Sequence, residues 1–131
     1  MPAEMRVTPL EHYKRVCSML DAFMKRMEDT FRFFVQVSTA VIGGFIWLKM
    51  QPDSAKVAYL LEIARYIIPA LGVATIAEMV NCLFRWYGYR KAEHRLNPRA
   101  PAPSIWMMGH VELIRILVTA TVAVAAYRWL R

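Results

Sequence analysis

The sequence predicts an all-α integral membrane protein with about three transmembrane helices and an N-terminal amphipathic cytoplasmic helix continuous with the first span. Hydrophobic residues make up 57% of the 131-residue chain, above the roughly 45–50% typical of soluble domains. Charged residues, 21% of the chain, gather in the first thirty positions, in 85–99 and at the C-terminal tip. Charge is excluded from the segments between in this way when hydrocarbon is the solvent around them. Turn-forming clusters divide the apolar runs: Gln51-Pro52-Asp53-Ser54, and 97–103 with its three prolines.

The helices follow from local chemistry. Thr8, Pro9 and Glu11 have capping-box spacing with proline at the first helical position, so a helix is expected from Pro9. Its apolar residues Tyr13, Val16, Leu20, Phe23, Met27, Phe34, Val37 and Val41 recur mostly at steps of three and four. No Gly or Pro interrupts it from Leu10 to Ile42. Residues 1–30 form the cytoplasmic amphipathic part, and 31–131 a three-helix transmembrane domain with spans of about 31–50, 57–86 and 105–129. A basic, Pro-rich cytoplasmic connector, 87–104, joins the second and third spans. Ser54 or Asp53 can cap the second helix and Ser104 the third. The N-terminal MPAEMRVTPLEHYKR has no apolar core ahead of a cleavage site, so the first hydrophobic helix is expected to act as its own insertion signal.

Basic residues set the expected orientation. Lys14, Arg15, Lys25, Arg26 and Arg32 precede or enter the first span, and Arg85, Arg90, Lys91, Arg95 and Arg99 follow the second. Only Lys49 and Lys56 flank the opposite loop. Positive-inside counting places the N-terminus and connector in the cytoplasm and the C-terminus outside. The net charge of +7 sits beside lipid-length apolar segments, which favours a membrane surface over nucleic acid. On this topology Cys17 and Cys82 lie on or near the cytoplasmic side and are expected to be free thiols.

Ionisable residues inside a span need partners and often mark function. Glu78 with Asn81 in the second helix and Glu112 with Arg115 in the third are the candidates for an intramembrane polar clamp; depth counted from Arg85 and Trp106 pairs Glu78 with Arg115. The alternative is a polar pathway or a proton or ion site. Glu62 and Arg65 form an outer-side pair at i,i+3 spacing. Ala40, Gly43 and Gly44 in the first span and Ala70 and Ala74 in the second have the small-residue spacing of close helix packing. Trp47, Trp86, Trp106 and Trp129 are the expected interfacial anchors.

No phosphate-cradling glycine motif, nucleophile–base pair or metal-ligand spacing occurs. His12, His94 and His110 have no ligand-type residue one turn on, and the Met19, Met24, Met27 set reads as a hydrophobic face. The expectation is a non-enzyme with no cofactor, metal or catalytic residue.

Two stretches, MEDTFRFFVQVSTAVIGGFIWL at 27–48 and NCLFRWYGYRKAEHRL at 81–96, resemble small bacterial inner-membrane proteins of the RipA-like and SLATT-like effector kind. The resemblance implies a cytoplasmic helix, two or more spans, oligomerisation and an effector role in phage-defence or stress systems. It supplies no catalytic residues, and a third span is not typical of that kind. The function expected is therefore an oligomeric, membrane-perturbing or pore-forming effector. Its partners would be the lipid bilayer, further copies or a larger membrane complex, and a cytosolic protein on the N-terminal helix. The alternative is an accessory structural subunit of a respiratory, photosynthetic or transport complex.

Overall fold

The computed structural model describes residues 8–52 and 54–129, side chains excepted at 54–56 and 105–109. Three helices follow in order: α1 (Pro9–Lys49), α2 (Ser54–Leu96) and α3 (Ile105–Trp129). At 41 and 43 residues, α1 and α2 are each roughly 60 Å long, while the 25 residues of α3 give roughly 37 Å. Each contains a segment long and apolar enough to cross a membrane. The expected caps and breaks explain most of the boundaries. The Thr8 backbone N–H donates to the Glu11 carboxylate at 3.0 Å, and the Glu11 N–H donates to the Thr8 hydroxyl at 3.4 Å. The third helix starts at Ile105, directly after the Pro-rich segment. Asp53 lies outside the described residues.

The Thr8 cap has a consequence for acid response. The Thr8 backbone N–H, and after it the hydroxyl, hold the Glu11 carboxyl below its ordinary pKa. A lowered folded-state value means that this support is complete above the ordinary carboxylate range and is lost as pH falls through the lowered value. The His12 amide, bonded to the Thr8 carbonyl at 3.0 Å, should therefore lose exchange protection on acidification. In Glu11→Gln, after correction for intrinsic exchange, the profile should be flat. Identical profiles for the two proteins would refute the linkage.

The second helix departs from expectation at its C-terminal end. The sequence carries the second helix to about Tyr89, two residues into the basic connector, whereas α2 continues to Leu96. The reason is tertiary. Trp86 forms a buried cluster with Val16 and Leu20 of α1, and Phe23, Leu83, Tyr87 and Tyr89 close around it. Phe23 and Tyr89 meet with ring centroids 5.5 Å apart. One turn further, buried Glu93 pairs with Arg90 and accepts a weak hydrogen bond from the Cys17 thiol at 3.8 Å. The helix stops at Asn97 because Pro98 disfavours helical backbone at the residue before it. The connector proper is thus 97–104, tied back to α2 by His94 Nδ1 at 2.9 Å from the Ala100 carbonyl oxygen.

These contacts fix the arrangement. The helices α1 and α2 form a long antiparallel hairpin: Val16 and Leu20 meet Trp86 at one end, and Phe34 meets Ile68 further along. The third helix runs in the same sense as α1, with Arg115 near Phe31 and Trp129 against Phe45. It packs chiefly on α2. A central core of Phe34, Ile68 and Ala126 joins all three, flanked by Val41, Leu71 and Val122. Gly72 permits the close approach of α2 to α3, since a Cβ there would lie 2.8 Å from Ala123 Cβ.

Candidate functional site

Several charged pairs gather around the stretch where the amphipathic half of α1 gives way to its apolar half. Arg26 projects from α1 towards Glu78 of α2 and pairs with it at 2.7 Å. The Cys82 thiol donates to the same carboxylate oxygen at 3.7 Å. On α1 itself, Arg32 bonds Glu28 one turn away at 3.1 Å. On α3, Arg115 bonds Glu112 at 2.8 Å, and its guanidinium lies 5.9 Å from the centre of the Phe31 ring. Asp21, Lys25 and Glu28 of α1 face Glu112 and Arg115 of α3 across a groove of about 410 Å³. The Glu112 side chain is 9% exposed. Its Oε1 accepts from Arg115, and its Oε2 is buried with no hydrogen-bond partner.

The Glu78–Arg115 pairing expected from the sequence is not formed. Arg115 stands level with Phe31, whereas Glu78 stands level with Arg26. Those α1 positions differ by roughly 7 Å of helix rise. The depth count took Arg85 as the end of the apolar segment, but α2 continues along α1 well past it. Each of the two residues is instead paired nearer by: Glu78 with Arg26, and Arg115 with Glu112 one turn away on its own helix. Asn81 is exposed and takes no part.

The outer-side pair also differs. Glu62 is exposed, and Arg65 turns away from it to stack over two tyrosines, 4.8 Å from the Tyr127 ring centre and 5.8 Å from that of Tyr66. Arg65 Nε is buried without a hydrogen-bond partner. A guanidinium over an aromatic face gains electrostatic attraction that a carboxylate in water does not match.

Of the expected anchors, Trp47 and Trp129 are each 61% exposed, and Trp129 shares the cation of Lys49 with Phe45. Trp86 is not a surface anchor: it is 3% exposed, with the Arg90 guanidinium 5.5 Å from its ring. The Trp106 side chain lies outside the described residues. Ala40, Gly43, Gly44, Ala70 and Ala74 are all exposed, and a Cβ at Gly43 or Gly44 would meet nothing within 4 Å. Contacts within the chain use Gly72, Ala123, Ala126, Thr75 and Thr119 instead. The spacing of small residues marks a face open to close approach but not which partner approaches it.

Among the described residues, no three His, Cys, Asp or Glu side chains gather as metal ligands, and both cysteines are free. The structure therefore defines an all-helical chain with three helices of membrane-crossing length and a charged groove beside them. No family, curated protein or solved structure matches it.

Proposed function

We propose that the chain is a non-enzymatic, homo-oligomeric protein of a bacterial inner membrane that perturbs the membrane or forms a pore when triggered, as an effector of a defence or stress system. The N-terminus and connector face the cytoplasm and the C-terminus lies outside. The observation that carries the membrane assignment is the fate of the apolar segments. Only 17%, 28% and 22% of their most apolar windows is buried within the chain. Large apolar side chains on all three helices, among them Trp47, Val73, Phe84 and Leu117, are 61–74% exposed, which is unfavourable in water and favourable in lipid.

Oligomerisation is supported by the outer face of α1. Gln36, Ala40, Gly43 and Gly44 lie at i, i+4, i+7 and i+8, so they share one exposed face. In hydrocarbon the Gln36 amide lacks a partner, and the small residues after it let another helix approach closely enough to supply one. One copy of three helices encloses no conduit, so a pore requires several. The exposed charged face of the first half of α1 remains available to a cytosolic trigger protein.

The test is the mass of the complex extracted from its native membrane. An integer multiple of the chain mass is expected, with Gly43→Leu and Gln36→Leu each shifting it towards one copy. Over-expression should arrest growth, and both variants should relieve the arrest. A single copy at fixed ratio to larger foreign subunits, harmless when over-expressed, would replace this reading with an accessory subunit.

A further inference from the structure

We propose that the seam between α1 and α3 binds one phospholipid bearing a primary amine, with the headgroup in the charged groove and an acyl chain along the apolar length beyond it. The inference rests on the assignment of the three helices to a membrane.

The first observation is the orphaned oxygen. Glu112 lines the groove, its side chain is nine-tenths buried, one carboxylate oxygen is bonded to Arg115, and the other is buried with no donor. A buried acceptor left without a donor is unfavourable, so the groove calls for a ligand that brings an N–H or O–H. The second observation is the charge around it. Asp21 and Lys25 line the groove and make no ion pair among the described residues. Glu28 and Arg115 complete its rim. Acids and bases are thus interleaved, which suits a zwitterion: an ammonium towards Asp21, Glu28 and Glu112, and a phosphate towards Lys25 and Arg115.

The third observation is continuity. Val111, Arg115, Val122 and Trp129 recur along one stripe of α3, and the same stripe enters an apolar hollow of about 280 Å³ between Ile42 of α1 and Val122, Ala125, Ala126 and Trp129 of α3. From Glu112 to Val122 the helix rises about 15 Å, the depth of one leaflet in a hydrocarbon core of about 30 Å. A lipid held by its headgroup at Glu112 therefore carries its chain to that hollow.

The chemistry selects among headgroups. A primary ammonium offers three N–H donors, as a lysine does. A choline offers none, and leaves Glu112 Oε2 unsatisfied. A glycerol headgroup has hydroxyl donors, but it adds net negative charge to a groove already carrying Asp21, Glu28 and Glu112.

The experiment uses the full chain extracted in detergent and analysed by native mass spectrometry with equal amounts of phosphatidylethanolamine, phosphatidylcholine and phosphatidylglycerol. Retention of the ethanolamine lipid should exceed that of the other two by about tenfold, the equivalent of one charge-assisted hydrogen bond. Glu112→Gln should erase the preference. Ala125→Leu, which fills the apolar hollow and leaves the charges in place, should lower retention of all three lipids with helix content unchanged. Glycerophosphoethanolamine, the headgroup without chains, should fail to compete. Equal retention of the three lipids, an unchanged preference in Glu112→Gln, or full competition by the soluble headgroup would each overturn the inference. A protein that stays monodisperse in buffer without detergent would instead overturn the membrane assignment beneath it.

Discussion

Gly72→Ala is expected to destabilise the bundle and loosen α3, although in an ordinary helix the same change is favourable. Replacing a mid-helix glycine by alanine normally stabilises by about 0.5–1 kcal/mol, because the unfolded chain loses freedom. Here the new Cβ would stand 2.8 Å from Ala123 Cβ, with Phe34 Cε2 at 3.6 Å and the Thr119 carbonyl oxygen at 3.9 Å. Carbon atoms in contact sit about 3.5–4 Å apart, so the two helices must separate by roughly 1 Å or bend. Overpacking of this kind costs about 1–3 kcal/mol, which outweighs the backbone gain. Denaturant titration of the detergent-solubilised protein, followed by circular dichroism, should show the loss. Ala123→Gly in the same chain removes the opposing methyl and should restore most of it. If the single variant is as stable as the parent, or the double variant no better than the single, the close α2–α3 crossing is wrong.

Trp86→Ala should have the largest effect of any single truncation at the end of the hairpin where Val16 and Leu20 meet α2. The side chain is 3% exposed and is the centre of the cluster with Val16 and Leu20. Removing a buried aromatic of this size costs about 3–5 kcal/mol, and the Arg90 guanidinium above the ring loses its partner as well. The consequence should be local. Hydrogen exchange should accelerate in the first half of α1 and in 83–96, while amides around Phe34 and Ile68 keep their protection. Trp47→Ala, at an exposed position, is the control and should change exchange little. If Trp86→Ala left the exchange of both stretches unaltered, the residue would be acting at the lipid surface and not between the helices.

What could be read in the sequence, and what could not, divides along the range of the interactions involved. The start of α1 was legible because Thr8, Pro9 and Glu11 act on one another within a single turn. The start of α3 was legible because prolines exclude helix before it. The end of α2 was not. An aromatic-basic run such as Arg85–Arg90 looks like an exit from lipid, and only the matching stripe of Val16 and Leu20 on a distant helix turns it into a packed surface. Glu78, Glu112 and Arg115 stand out in the sequence as costly inside an apolar segment, and the Glu112–Arg115 pair is legible from its spacing, but the partner of Glu78 is Arg26 and not Arg115. Pairing depends on the axial register of three helices, which counting from either end of one helix does not fix. Arg26 was visible only as one more charge on a polar face, and it proved to be the partner of Glu78. Gly72 carried no signal beyond its place in an apolar run. Its importance comes from Ala123, far along the chain.

The unbroken course of α1 has a mechanical meaning. From Leu10 to Ile42 it contains neither glycine nor proline, and α2 lies alongside for most of its length. Braced in this way, α1 can act as a lever arm as far as Ile42, beyond which Gly43 and Gly44 follow in α1, while α2 carries Pro69 in its interior. A protein gripping the exposed first turns would need to bring about no refolding to be felt at Phe34. It has only to lean on the arm, and the far end swings with it.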